Sequence, residues 1–266
     1  MLSNSGILLI PGKRRKLHMT DILQPYELEH RVRAFETGYT GKLTPSALIH
    51  LLQHCAGIHA DELGWSIHSL HETGQTWVLQ RFYLEINRLP VIDEKFTIKT
   101  RPSGADRILA FRDYEVFDEN NNTLALATSN WVVLDLKTRR PVFITDDVKE
   151  LGNRFGTRWV EMPVNKLLPA KSPEITKEFR VRKHDLDLNR HVNNVRYIEW
   201  ALEAVPDSIY ESKSLTSLDI IFKSECLYED EITSAAEQSA PGRFRHTLIR
   251  KSDDKVVAIM ESRFLD

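Results

Sequence analysis

The sequence predicts an α+β fold built from two similar halves, each a long helix packed against an antiparallel sheet. Three observations carry this expectation. Amphipathic helical segments stand near residues 45–63 and 194–205, and each follows one strand-like stretch and precedes four more. Setting Arg31-Val32-Arg33 against Arg180-Val181-Arg182 brings the two helices into register, the mark of a tandem repeat. Between the halves, residues 145–173 hold Gly152, Gly156, Pro163, Pro169 and Pro173 with weak periodicity, as a connection does. The expected organisation is a disordered tail at 1–18, an N-terminal domain at 19–144, a linker at 145–173 and a C-terminal domain at 174–266.

Taken in order, the tail carries Ile7–Ile10 ahead of Lys13-Arg14-Arg15-Lys16, the reverse of a signal peptide's arrangement, and Met19 is a candidate natural start. Tyr26–Phe35 is strand-like and is broken by Gly38, Gly41 and Thr44-Pro45. Thr44 suits an N-cap and Pro45 the first helical position. Leu48, Leu51, Leu52, Cys55, Ile58 and Leu63 then recur at helical spacing up to Gly64. Strands follow at Trp77–Ile86, Lys95–Arg101, Ile108–Phe117 and Leu124–Leu136. The second half repeats the order: a strand at Ile175–Arg182, a helix with Tyr197, Ile198, Ala201, Leu202 and Val205 on one face, a stop at Pro206, and strands near Ser217–Cys226, Glu231–Gln238, Phe244–Lys251 and Val256–Leu265.

Composition narrows the function. A formal net charge of −2 argues against a general nucleic-acid binder. No apolar run approaches the roughly 20 residues that span a bilayer. Cys55 and Cys226 are far apart and outside any CxxC spacing, so neither a disulfide framework nor a thiolate zinc site is indicated, and a reducing, cytoplasmic setting fits. His50 and His54 share a helix face at i, i+4, but no third ligand accompanies them, and no motif implies a metal or a bound cofactor.

Chemistry concentrates in DLDLNRHVNNVRY, residues 185–197. On an extended strand Asp187, Asn189 and His191 share one face, where an alternating core strand would place apolar groups. The following helix aims its free N–H groups at the same place. In the repeat register Gly38, Thr40 and Lys42 stand opposite these three residues, so only the second half carries the polar set. The first half makes its own turn into a helix without it, which separates the set from the needs of the turn.

NRHVNNVRYIEWALEAVP, with Ser224-Glu225-Cys226 downstream and WVLQRFYLEINRLP and SNWVVLDLKTRRP upstream, resembles the acyl-acyl carrier protein thioesterase family of plants and bacteria. The likeness runs from about Glu27 to the C-terminus. It implies a double hot-dog fold, with two copies of a long helix wrapped by an antiparallel sheet. It further implies a hydrolase of fatty acid biosynthesis and lipid metabolism that releases free fatty acid from acyl carrier protein. The family's proposed catalytic residues match Asp187, Asn189, His191, Glu225 and Cys226 here. Asn193 and Asn194, with Trp77 and Trp131, are candidate substrate-binding residues, and Phe82 and Phe111 are further candidate walls of an acyl pocket. Carrier proteins are acidic, which makes Arg139, Arg140, Arg182 and Lys183 candidates for docking. A homodimer is compatible with the sequence.

Thioester hydrolysis needs a nucleophile, a base and oxyanion donors, and little help for the leaving thiol, whose pKa is near ~8.5. Two routes remain open: Cys226 attacks with His191 as base, or Asp187 or Glu225 activates water while Asn189 and His191 position and polarise. The water route is favoured, because a Cys–His pair needs fewer acid–base groups than the motif supplies. A regular strand would also point Glu225 and Cys226 to opposite sides, so both enter one site only at a bulge or strand end. The competing functions are a hydro-lyase acting on 3-hydroxyacyl thioesters, which releases no thiol, and a non-catalytic acyl or carrier-protein binder.

Overall fold

A computed structural model describes residues 24–156 and 158–266. The expected tail at 1–18 and the candidate start at Met19 lie outside the described residues. The first half runs β1 (Tyr26–Arg31), α1 (Pro45–Glu62), α2 (Ile67–Glu72), β2 (Gln75–Ile86), β3 (Lys95–Ala105), β4 (Ala110–Asp118), β5 (Thr123–Asp135) and β6 (Pro141–Val142). After α3 (Asp146–Arg154) the second half runs β7 (Ile175–Arg180), α4 (Asn194–Leu202), α5 (Asp207–Ser212), β8 (Ser214–Phe222), β9 (Glu231–Ala240), β10 (Arg243–Arg250) and β11 (Lys255–Leu265).

All these strands form one antiparallel sheet in the order β1-β3-β4-β5-β2-β8-β11-β10-β9-β7, with β6 beside β5. Read outward from the β2–β8 seam, the two arms have the same connectivity, which is the repeat inferred from register. The seam pairs Arg81 with Ile221 through Glu85 with Ser217. It is pinned by a bidentate ion pair, Arg81 Nε to Asp219 Oδ1 at 2.9 Å and a terminal guanidinium nitrogen to Oδ2 at 2.6 Å. The helices α1 and α4 pack against each other and against strands of the sheet, and one apolar cluster joins Leu48, Leu52 and Tyr114 of the first half to Val195, Ile198 and Phe244 of the second.

Local chemistry explains the helix limits. Thr44 Oγ1 accepts the Ala47 N–H at 3.1 Å with Pro45 at the first position, and the chain leaves α1 through Gly64 at φ +80. Asn193 Oδ1 caps α4 by accepting the Val195 N–H. The expected helix to Val205 ends at Leu202 instead, because Pro206 biases Val205 away from helical angles and residues 203–205 turn.

Two further departures shape the site. The stretch 145–173 is more than a connection: α3 lies on β3 so closely that a Cβ on Gly152 would stand 2.6 Å from the Gly104 Cα. The expected strand to Cys226 stops at Phe222, since Lys223 and Ser224 both donate to the Val257 carbonyl and the ladder cannot continue.

Candidate active site

Residues 183–193 form a compact loop rather than the extended strand that period-two spacing predicts. A 3-10 turn at Lys183–Asp185 is capped by Asp185, whose carboxylate accepts the Arg182 backbone N–H at 2.7 Å and the Nε and one terminal nitrogen of the Arg182 guanidinium. Leu186 then bridges Val192, closing a turn in which Asp187 N–H donates to His191 O and Arg190 N–H to Asp187 O. Inside it, Asp187 Oδ1 accepts the N–H groups of Asn189 at 2.8 Å and His191 at 3.1 Å. Asp187 therefore braces the turn in an Asx-type role, so the polar set is not separate from the needs of the turn as the register suggested.

The first half builds the same loop: Gly38 N–H donates to Lys42 O, Gly41 N–H to Gly38 O, and Thr37 bridges Leu43. The positions opposite Asp187, Asn189 and His191 are thus the ones that register alone identified.

The second component comes from 223–227. Val192 N–H donates to Cys226 O at 2.9 Å, tying this segment to the motif. Free of a regular strand, it turns Glu225 toward His191, with Glu225 Oε1 3.4 Å from His191 Nδ1. The other carboxylate oxygen accepts from the Arg139 guanidinium of the first half. The Glu225 backbone is also held, its carbonyl accepting from Arg250 at 2.9 Å. Tyr197 spans the neighbours: its hydroxyl donates to Ser224 O and accepts the Cys226 N–H at 3.0 Å. Burial, then the adjacent Cys226, pushes the Tyr197 phenol up, so it stays a neutral strut.

Cys226 belongs elsewhere. It is fully buried in the apolar cluster, outside the cavity wall, and burial pushes its thiol up, against nucleophilic use.

Asp187, Asn189, His191, Asn193, Asn194 and Glu225 all border a cavity of about 860 Å³. Its remaining wall is mostly first-half: Ala56, Gly57 and Ala60 of α1, Trp77 of β2, Phe111 of β4 and Trp131 of β5. Val148 and Leu151 show that α3 closes one side. Trp77 and Trp131 keep their indole N–H groups satisfied by Trp65 O and Ser129 Oγ, leaving ring faces for the wall. Phe82 is not in the wall; it is fully buried against Tyr114 in the core.

A guanidinium also borders this cavity. Arg112 lies within reach of His59 Nδ1 at 3.2 Å and Thr100 Oγ1 at 3.3 Å. Burial, then Arg112, pushes the His59 imidazole down to about 3, so it stays neutral and accepts from the guanidinium.

The expected docking residues divide. Arg139 is engaged by Glu225, Arg182 by Asp185, and Lys183 stands 5.9 Å from the Tyr228 ring centroid, while Arg140 is exposed. His50 and His54 are exposed on α1, and no cluster of metal-ligating side chains occurs among the described residues. Sequence reasoning missed Tyr197, placed on an apolar stripe although its hydroxyl needed a partner. It also missed Arg250 and the Arg112–His59 pair, which only strand register brings to these places.

Sequence models of the N-terminal and C-terminal domains of acyl-ACP thioesterases match residues 24–151 and 169–264, most of the chain. The chain belongs to the acyl-ACP thioesterase family. Membership makes it a thioester hydrolase with the tandem hot-dog fold. The chloroplastic oleoyl-acyl carrier protein thioesterase of Coriandrum sativum is 28% identical over 255 residues, covering 90% of this chain and 69% of that protein. The palmitoyl-acyl carrier protein thioesterase of Cuphea hookeriana is also 28% identical, covering 85% and 59%. The chain thus spans about two thirds or less of these plant relatives. The crystal structure of an acyl-ACP thioesterase from Bacteroides thetaiotaomicron superposes with a TM-score of 0.81 at 26% identity, covering 90% of this chain and 97% of that one. The 12:0-ACP thioesterase of Umbellularia californica shares the fold, with a TM-score of 0.81 at 22% identity over 91% and 97% of the two chains.

Proposed function

We propose that this family member cleaves fatty acyl thioesters carried on an acidic carrier protein by adding a water that Glu225 deprotonates. The observation that carries the route is the opposed placement of two neighbours: Glu225 faces the cavity beside His191, and Cys226 is buried behind it. With Asp187 Oδ1 spent on the turn, Glu225 is the better-placed base.

The chemistry follows from these positions. Glu225 takes a proton from water, and the hydroxide oxygen bonds to the thioester carbonyl carbon. The resulting oxyanion accepts from the Asn194 N–H, which opens α4 and has no acceptor among the described residues. Collapse breaks the C–S bond, and the proton on Glu225 passes to the departing thiolate. His191 stands 3.4 Å from the Glu225 carboxylate and, with Asn189, positions and polarises the carbonyl. The acyl chain lies in the cavity of about 860 Å³ between α1 and the first-half sheet, within the usual ligand-pocket range.

The carrier approaches over the exposed Arg140 and over Lys183, in a reducing compartment that keeps both cysteines as thiols. No helix among the described residues is long and apolar enough to cross a membrane. A thiol-release assay on saturated acyl-carrier substrates separates hydrolysis from dehydration and from mere binding. Glu225→Gln should lower kcat about 10²–10⁴-fold, the usual range for a lost general base. Wild-type turnover in that variant would overturn the water route through Glu225.

A further inference from the structure

We propose that Arg139 is a positioning residue for the reaction: the first half, which lacks the motif, supplies the guanidinium that orients the carboxylate of Glu225. This rests on Glu225 acting as the base. The Glu225 backbone is fixed by Arg250 and by the Val192 and Tyr197 bonds to Cys226, but these leave its side chain free to rotate. Among the described residues, two groups meet the carboxylate itself. Arg139 takes one oxygen, and the other is left 3.4 Å from His191 Nδ1. A charge-assisted guanidinium bond is the stronger and more directional of the two, so it decides which way the free oxygen faces.

The turn that presents Arg139 is unusually constrained. Asp135 Oδ1 accepts the N–H groups of Lys137 and Thr138, Arg139 N–H donates to Asp135 O, Asp135 N–H to Arg140 O, and Leu136 N–H to Gly74 O. Arg139 itself sits at φ +58, a left-handed conformation that side-chain-bearing residues rarely adopt. The chain thus holds an unfavourable backbone angle where this side chain leaves for the other half.

Fold stability does not account for the contact. The side chains are 47% and 35% exposed, a setting in which ion pairs contribute little, and the halves are already joined by the β2–β8 ladder and the buried Arg81–Asp219 pair. Carrier docking alone would leave the guanidinium free for the partner rather than committed to a carboxylate bordering the cavity.

The test is steady-state thiol release by the full chain and by Arg139→Met, Arg139→Lys and Arg139→Met/Glu225→Gln. Each is given one acyl group on acyl carrier protein and on a small thiol, from low to high salt. Arg139→Met should lower kcat about 10- to 100-fold on both donors, as a misplaced catalytic group does, with no dependence on salt. Arg139→Lys should recover part of the loss. The double variant should be no slower than Glu225→Gln alone, because residues acting as one unit are non-additive. The proposal is overturned if kcat is unchanged and only the KM for the carrier rises, with a salt-dependent effect absent from the small thiol. It is equally overturned if the two substitutions multiply. An unmodified chain that releases no thiol would instead count against the hydrolase reading.

Discussion

Replacing Cys226 by alanine separates the two thioesterase routes. The substitution removes one heavy atom from a fully buried site in the shared core. Losing a buried methylene-sized group costs about 0.8 kcal/mol in transfer, and incomplete collapse raises this to roughly 1–1.5 kcal/mol. For a chain this long the melting temperature should fall by about 2–5 °C. Chemistry should barely change. Even an unperturbed thiol is only a few per cent ionised at neutral pH, and burial pushes this one further up. The backbone N–H bond to Tyr197 is untouched by the substitution, so the support under Glu225 survives. Thiol release per folded molecule should stay within about twofold of the unmodified chain, since the removed atom lies outside the cavity wall. Intact-protein mass after rapid quenching should show no acyl group on Cys226. A loss above about 100-fold with an unchanged melting temperature, or a covalent acyl adduct on this residue, would refute the argument.

Two more outcomes follow from buried groups outside the chemistry. Burial holds His59 and His246 at about 3 in the folded state, well below the unfolded value of roughly 6.5. The unfolded chain therefore binds protons first on acidification. Stability should be intact above about pH 6.5 and fall as pH drops toward 3, by up to roughly 1.4 kcal/mol per pH unit for each group. Urea denaturation at several pH values checks this, and His59→Gln/His246→Gln should flatten the profile. Gly152→Ala places a Cβ against the Gly104 backbone, with contacts of 2.6–2.9 Å, and neither partner is a flexible side chain that can move aside. It should lift α3 from β3 and destabilise the chain by about 1–3 kcal/mol. Because α3 closes one side of the cavity, thiol release should weaken most for the longest acyl chains, and a substrate panel with unchanged relative rates would contradict that coupling.

Most of the architecture was legible because period and register survive without tertiary information. Thr44-Pro45 marked one helix start, and the match of residues 31–33 with 180–182 carried the pseudo-symmetry that the sheet order shows. Strand ends were harder to see. The fault at Phe222 depends on one carbonyl, Val257, accepting from both Lys223 and Ser224, and nothing local in that sequence announces it. That fault frees Glu225 to turn toward His191, yet Cys226 stays buried on the other side, so the strand end does not bring both into one site. The pairing of Arg139, singled out only for docking, and the Arg112–His59 contact were hidden for a related reason: the partners are 86 and 53 residues away in sequence, and only the fold brings them near. The helix α3 was missed because Gly152 weakens its propensity, while its packing against Gly104 stabilises it.

The comparison of the two loops assigns the motif's residues different tasks. Both halves close the same turn, but the first uses Gly41 at φ +72 where the second has Arg190 at φ +63. A left-handed angle costs a side-chain-bearing residue about 1–2 kcal/mol more than glycine. The second loop offsets that strain with two extra hydrogen bonds, both to Asp187 Oδ1, where the first half has Gly38 and none are possible. These bonds hold the N–H groups of Asn189 and His191, two residues that border the cavity. Asp187 is therefore the scaffold of the constellation. Its loss would displace Asn189 and His191 together, which makes a severe Asp187 phenotype compatible with a base that resides on Glu225.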